Sequence, residues 1–237
     1  MSTLTKISAS IILAILMMSC NFDMGVKGNG EVSTKERALN ESFNAVKVSR
    51  GLDLYLTQSN AERLTVEADE NLHDIITTTI ENNVLVISTS ENIGRSTSKK
   101  IHLNFKNLQV ITATSGSEVY STNTIKATDL ELDSTSGSDM ELNIHTDTVI
   151  CNSTSGSDME LSGKTTTFIA EASSGSSIEA EDLESINAQV VTSSGGDIVV
   201  NTQELTAKAS SGGDIRYIGN PNILEKSDGV SGTIKRD

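Results

Sequence analysis

The sequence predicts an all-β chain wound as a parallel β-solenoid, with one coil for about every twenty residues. Three observations predict it. The first is a repeated octapeptide. Thr154-Ser155-Gly156-Ser157-Asp158-Met159-Glu160-Leu161 rewrites Thr135-Ser136-Gly137-Ser138-Asp139-Met140-Glu141-Leu142, and looser copies begin at Thr114, Ser173, Ser193 and Ser210. The second is spacing. Gly116, Gly137, Gly156, Gly175, Gly195 and Gly212 lie 21, 19, 19, 20 and 17 residues apart, and Gly232 falls 20 after the last. The third is a period of two between the glycines. Val149, Cys151 and Ser153 alternate with Ile150, Asn152 and Thr154, then Met159 and Leu161 resume with Asp158, Glu160 and Ser162 on the other face. That is a strand with one wet side.

A glycine supplies the positive φ of a tight corner, which serine or aspartate adopts only at some cost. The six glycines from 116 to 212 are therefore read as structural corners. The six-residue rhythm of a hexapeptide helix is absent, and so is the leucine-asparagine framework of leucine-rich repeats.

In chain order, residues 1–19 read as a lipoprotein signal. Lys6 gives the charge, Ile11 to Met18 the apolar run, and Ser19-Cys20 a small residue before a cysteine. The run is too short to span a bilayer. Cys20 would become the lipidated first residue of the mature chain, anchoring it to the outer membrane on its periplasmic or cell-surface face. An ordinary secretory signal is the alternative. Residues 20–40, polar and glycine-bearing, read as a tether. Residues 41–105 read as an irregular β part that caps the stack. It includes a degenerate corner at Gly51, a helical turn near Glu70 to Asp74, and a hairpin turn at Asn82-Asn83. Residues 106–237 carry the regular coils and a C-terminal cap.

Several stretches then occur in a characteristic order: Phe43-Asn44-Ala45-Val46-Lys47-Val48, Val66-Glu67-Ala68-Asp69-Glu70-Asn71-Leu72, Glu81-Asn82-Asn83-Val84-Leu85-Val86-Ile87, the serial Ser-Gly corners, and Tyr217-Ile218-Gly219-Asn220-Pro221. Together with the lipoprotein signal, this set resembles the DUF2807 family, described as putative autotransporter adhesin, head GIN domain. The resemblance covers about residues 40–237. It implies a right-handed, single-stranded parallel β-helix similar to pectin-lyase-like solenoids, without catalytic residues, and a role in cell-surface adhesion.

Charge and composition narrow the function classes. The net charge is −14, and removal of Lys6 with the signal leaves −15. Such a chain does not bind nucleic acid through its bulk field. Once Cys20 is set aside, Cys151 has no partner, so no disulfide framework is expected. Its inward position makes it a buried, inert thiol. His73, His102 and His145 lack metal-ligand spacing. The repeats are nearly free of lysine and arginine, leaving no cation to stabilise an oxyanion. No catalytic residues, no metal ligands and no cofactor are therefore assigned.

One charged feature recurs. Glu118, Asp139, Asp158, Asp197 and Asp214 follow the corner glycine by two residues, with Ser177 breaking the series, and Glu141, Glu160 and Glu179 come two positions further on. In a parallel stack these form an outer acidic ladder, with about 4.8 Å between coils. A solvated face is the plainer reading, and calcium bound by the carboxylates is the runner-up. The expected function is a lipid-anchored binding or adhesion module with a glycan or protein ligand. A cell-envelope scaffold, with end-to-end homo-oligomers, is the alternative, and a carbohydrate-active enzyme ranks below both.

Overall fold

Two successive residues in the left-handed conformation turn the chain at each corner. Ser115 and Gly116 have φ of 58° and 69°, and Ser155 and Gly156 have 59° and 69°; the corners at 136–137, 174–175, 194–195 and 211–212 repeat this. The serine thus shares the left-handed geometry that the sequence had assigned to glycine alone. From Gly116 to Gly175 each glycine amide then bonds to the serine carbonyl of the next corner, as from Gly137 to Ser155 (3.1 Å) and from Gly156 to Ser174 (3.2 Å). Part of the serine's cost is offset by this column of hydrogen bonds.

The computed structural model describes residues 25–237. The signal segment and Cys20 lie outside the described residues. The strands are β1 (Val32–Arg37), β2 (Ala45–Val48), β3 (Asp53–Gln58), β4 (Arg63–Asp69), β5 (Ile76–Glu81), β6 (Val84–Thr89), β7 (Lys99–Phe105), β8 (Val110–Thr114) and β9 (Glu118–Ser121). The longer elements follow: β10 (Ile125–Thr135), β11 (Asp139–Thr154), β12 (Asp158–Ser173), β13 (Ser177–Ser193) and β14 (Asp197–Ala209), then β15 (Asp214–Ile218), β16 (Asn222–Asp228) and β17 (Thr233–Arg236). From β11 to β14 one bent strand fills the whole interval between two corners.

Neighbouring coils pair in parallel and in register: Asp139 faces Asp158, which faces Ser177, which faces Asp197. Identical positions therefore stack into columns. Met140 lies over Met159, then Ile178, Ile198, Ile215 and Ile234, all buried. Burying each such side chain contributes roughly 1.5–3 kcal/mol, and the columns together form one continuous apolar core along the stack. Cys151 sits in another inward column, between Leu132 and Ala170.

The period varies because a second bend absorbs extra residues. The register shifts between Glu160 and Ser162 against β13, and Glu181 to Leu183 have no counterpart in β14. The Ser-Gly corners themselves keep constant length, since their hydrogen bonds fix them.

The N-terminal part closes one end of the stack by interleaving. Strand β2 lies between β6 and β8, and β3 lies between β7 and β9, all parallel. Antiparallel strands then cover this end: β4 beside β7, β1 beside β4, and β5 beside β6. Arg50 and Gly51 form the expected first corner, with φ of 61° and 70°. Asn82 and Asn83 (51° and 65°) turn the β5–β6 hairpin, and Glu70–Leu72 makes one 3₁₀ turn.

One expectation needs correction. The polar stretch to residue 40 is not all tether: Val32–Arg37 is a strand, and Val26 already bridges Ile93. Polar composition concealed it because β1 is an edge strand with water on one side. Gly232, which continues the glycine spacing, is not itself left-handed. Ser231 takes that place (φ 60°), and Gly232 falls one position later, beside Gly213.

Candidate functional site

Alternation along each strand places every second residue outward, and register turns these residues into columns. The first outer column runs Asp53, Glu118, Asp139, Asp158, Ser177, Asp197, Asp214 and Thr233. The second runs Tyr55, Tyr120, Glu141, Glu160, Glu179, Val199, Arg216 and Lys235, with Val199 itself buried. All eight acidic residues singled out in the sequence therefore stand in these two columns. Where the acidic series breaks, Ser177 donates its hydroxyl to Asp158 Oδ1 at 2.8 Å.

Between the columns lies an open trough of about 320 Å³, lined by Asp139, Glu141, Asp158, Glu160 and Glu179, with Tyr120 at one end. No lysine or arginine lines it. Partial burial raises the Asp139 carboxyl above the usual carboxylate range, and the charges of Asp158 and Glu118 add to the rise. Asp197 is raised by burial and by Asp214, while Arg216 partly opposes this. Stacked like charges so close together favour the neutral form of one of them.

Sequence reasoning missed the aromatic end of this face. Tyr55 stacks between His102 and Tyr120, each pair of ring centroids 5.2 Å apart. Lys100 Nζ lies 5.7 Å from the Tyr55 centroid, within the range of a cation–π contact. Tyr120 donates its hydroxyl to Glu118 Oε2 at 2.6 Å, and that bond pushes the phenol well above its ordinary value. The signal was present: Asp53-Leu54-Tyr55 and Glu118-Val119-Tyr120 share one pattern, but 65 residues apart, outside the twenty-residue period.

The corner glycines do not line this trough and serve the fold. A Cβ built at Gly137, Gly156, Gly175 or Gly212 meets nothing within 4 Å, so only the backbone angle demands glycine there. Cys151 is fully buried, and burial raises its thiol far above the ordinary range, as an inert thiol requires. Among the described residues, no group of three or more His, Cys, Asp and Glu could hold a metal ion.

Fold and surface together define a parallel β-solenoid protein with one laddered, carboxylate-rich outer face. The family of putative auto-transporter adhesin, head GIN domain proteins, DUF2807, matches residues 42–221, and the chain belongs to it. Similar solved structures include a putative adhesin from Bacteroides fragilis (TM-score 0.82, 22% identity, covering 90% of this chain and 100% of that one). A putative lipid binding protein from Parabacteroides distasonis gives 0.73 at 23% identity, with 90% and 99% covered. A putative adhesin from Parabacteroides merdae gives 0.69 at 22%, with 90% and 98% covered. These similarities show the shared fold. No curated protein matches the chain.

Proposed function

We propose that this protein is an exported, lipid-anchored adhesion module that binds without catalysis, and that the trough between the two outer columns is its contact surface. Membership of an adhesin-type family supports the class, and the words adhesin and lipid binding attached to similar structures agree with a surface role. The observation that carries the choice of surface is the trough itself: carboxylates from three successive coils line it with no cation among them. Such a surface offers acceptors for sugar hydroxyls or for the basic groups of a protein. The lack of any lysine or arginine beside the carboxylates supports binding over eliminative sugar cleavage, which needs a cation for the developing negative charge. Cys20 would supply the anchor, since multiple acyl chains hold a protein to a membrane durably.

The test is a glycan and matrix-protein binding screen on the folded chain, repeated with Glu141→Ser plus Glu160→Ser. The expected result is a saturable ligand lost in the double variant. A ligand bound equally by both would move the contact surface elsewhere. Sugar released from a polysaccharide would overturn the non-catalytic reading.

A further inference from the structure

The point at which the folded body begins fixes more than the end of a tether. Strand β1 is joined to β4 in antiparallel register from Val32 opposite Asp69 to Arg37 opposite Leu64. Before it, the chain is latched. The Asp69 carboxylate accepts amides from Gly30 (2.9 Å), Thr97 (3.0 Å) and Ser98 (2.9 Å). Asn71 accepts the Asn29 amide at 2.9 Å and donates to the Lys27 carbonyl at 2.8 Å. Arg37 donates to the His73 carbonyl at 2.6 Å, and Lys35 pairs with Glu70 at 2.8 Å. Burial would raise Asp69, yet these amide donors prevail and hold it below the usual carboxylate range. The latch therefore contains a stabilised charge.

All of these contacts lie at one end of the stack, where β1 and β5 are the outermost strands. From Val26 back to Cys20 only six residues remain, a reach of about 20 Å at most whatever their conformation. The opposite end, at β16 and β17, is nine or ten strand spacings away, roughly 45 Å. An anchor at Cys20 can therefore bring the β1–β5 end to a lipid surface with little slack.

Charge is divided along the same axis. Residues 25–106 hold 10 Lys and Arg against 11 Asp and Glu, whereas residues 107–237 hold 7 against 20. Beside the chain's entry, Lys27 and Arg95 are both exposed. The nearly neutral half thus lies next to the anchor, and the strongly anionic half lies away from it. Anionic headgroups would repel the ladder and tolerate the cap.

We infer that the β1–β5 end of the solenoid is its membrane-facing surface, with a lipid bilayer as the partner. The stack then stands away from the bilayer, its acidic trough accessible and its C-terminal end outermost. This orientation rests on the reading of Cys20 as the anchor, and the test keeps the two apart.

The chain from Cys20 to Asp237 retains every described residue. It is coupled through the Cys20 thiol to maleimide-bearing lipids in phosphatidylcholine vesicles that contain a minority of phosphatidylglycerol. Cys151 is buried and does not compete. A fluorophore is clicked onto an azide-bearing residue replacing Thr79 on β5 or Lys235 on β17, and headgroup nitroxide lipids are added as quenchers. The expected result is at least threefold stronger quenching at position 79 than at 235. Thirty Gly and Ser residues inserted between residues 24 and 25 should reduce that ratio towards one. Equal quenching at both positions with the native spacing, as for a molecule lying on its side, would overturn the inference, as would stronger quenching at 235. Fatty-acid probe labelling of the native chain, compared with Cys20→Ser, reports separately on the anchor. Its failure would remove the natural anchor while leaving the quenching ratio readable.

Discussion

Two sets of corners in one stack solve the same turn with different chemistry. At Ser115-Gly116-Ser117, 136–138, 155–157 and 174–176, the third residue is a serine with its side chain buried. Its hydroxyl oxygen accepts the amide three residues back, from Thr114, Thr135, Thr154 or Ser173 at 3.0–3.1 Å. The same oxygen lies 2.7–3.2 Å from a carbonyl of the adjacent coil, as Ser157 Oγ does from Ser134. One hydroxyl thus ties its own corner and the neighbouring coil. At 194–196 and 211–213 the third residue is glycine, and its own amide closes the turn on Ser193 or Ser210 at 2.9 Å. The neighbouring backbone moves into the space the serine would fill. A Cβ at Gly213 would meet Thr192 Oγ1 at 2.7 Å and the Ser193 amide at 2.9 Å. The comparison teaches that a corner can be sealed by a buried hydroxyl or by close backbone approach, but the two are not interchangeable.

Breaking the second kind of corner should cost most. Gly213→Ser, which writes the first chemistry into the second site, forces side-chain atoms onto backbone and is expected to destabilise by about 3 kcal/mol. Denaturant unfolding measures it. A midpoint equal to wild type would mean the two corners are equivalent after all.

Gly156→Val is a different insult, because the site is open and only the angle resists. Left-handed strain on a β-branched residue should cost about 2 kcal/mol, less than the clash at Gly213. Thermal melts of the two variants side by side would show whether space or angle matters more.

Ser157→Ala sharpens the first kind of corner. It leaves the Thr154 amide without its acceptor and removes one tie between coils, for an expected loss of about 1–2 kcal/mol. Amide exchange at Thr154 should speed up, while exchange at Gly196 stays as it was. Faster exchange at neither position would mean that the hydroxyl contributes nothing.

The smallest effect is expected on the outer face, where charge alone is at stake. Replacing Asp139, Glu141, Asp158 and Glu160 together with Ser should leave the fold intact and raise stability by less than about 1 kcal/mol. Because Asp139 and Asp197 titrate above the ordinary 3.8 in the folded state, the fold binds their protons more tightly than the unfolded chain does. Stability should therefore rise as pH falls from neutral through those raised values. It should be lost at lower pH as Asp69, held below 3.8, becomes protonated. The quadruple variant should show a smaller rise. Calcium added to both proteins tests the ladder as an ion site: a melting temperature raised only in wild type would establish it. Equal shifts would mark the ladder as solvated.

Much of this was legible in the sequence. The octapeptide repeat, the glycine spacing and the period of two determined a β-solenoid with Asp139 and Glu160 outside and Met140 and Leu161 inside. All of that follows from local backbone geometry, which repeats wherever the residues repeat. The stacking of Cys151 inward followed from the same alternation. Four features were decided only by the tertiary structure: the β1 latch on Asp69, the interleaving of β2 between β6 and β8, the pairing of Tyr55 with Tyr120, and the need for glycine at 196 and 213. Each depends on which distant segments come to lie side by side. No period in a single chain records the distance from Gly213 to the backbone at Ser193, because close approach belongs to a pair of coils and not to either coil alone.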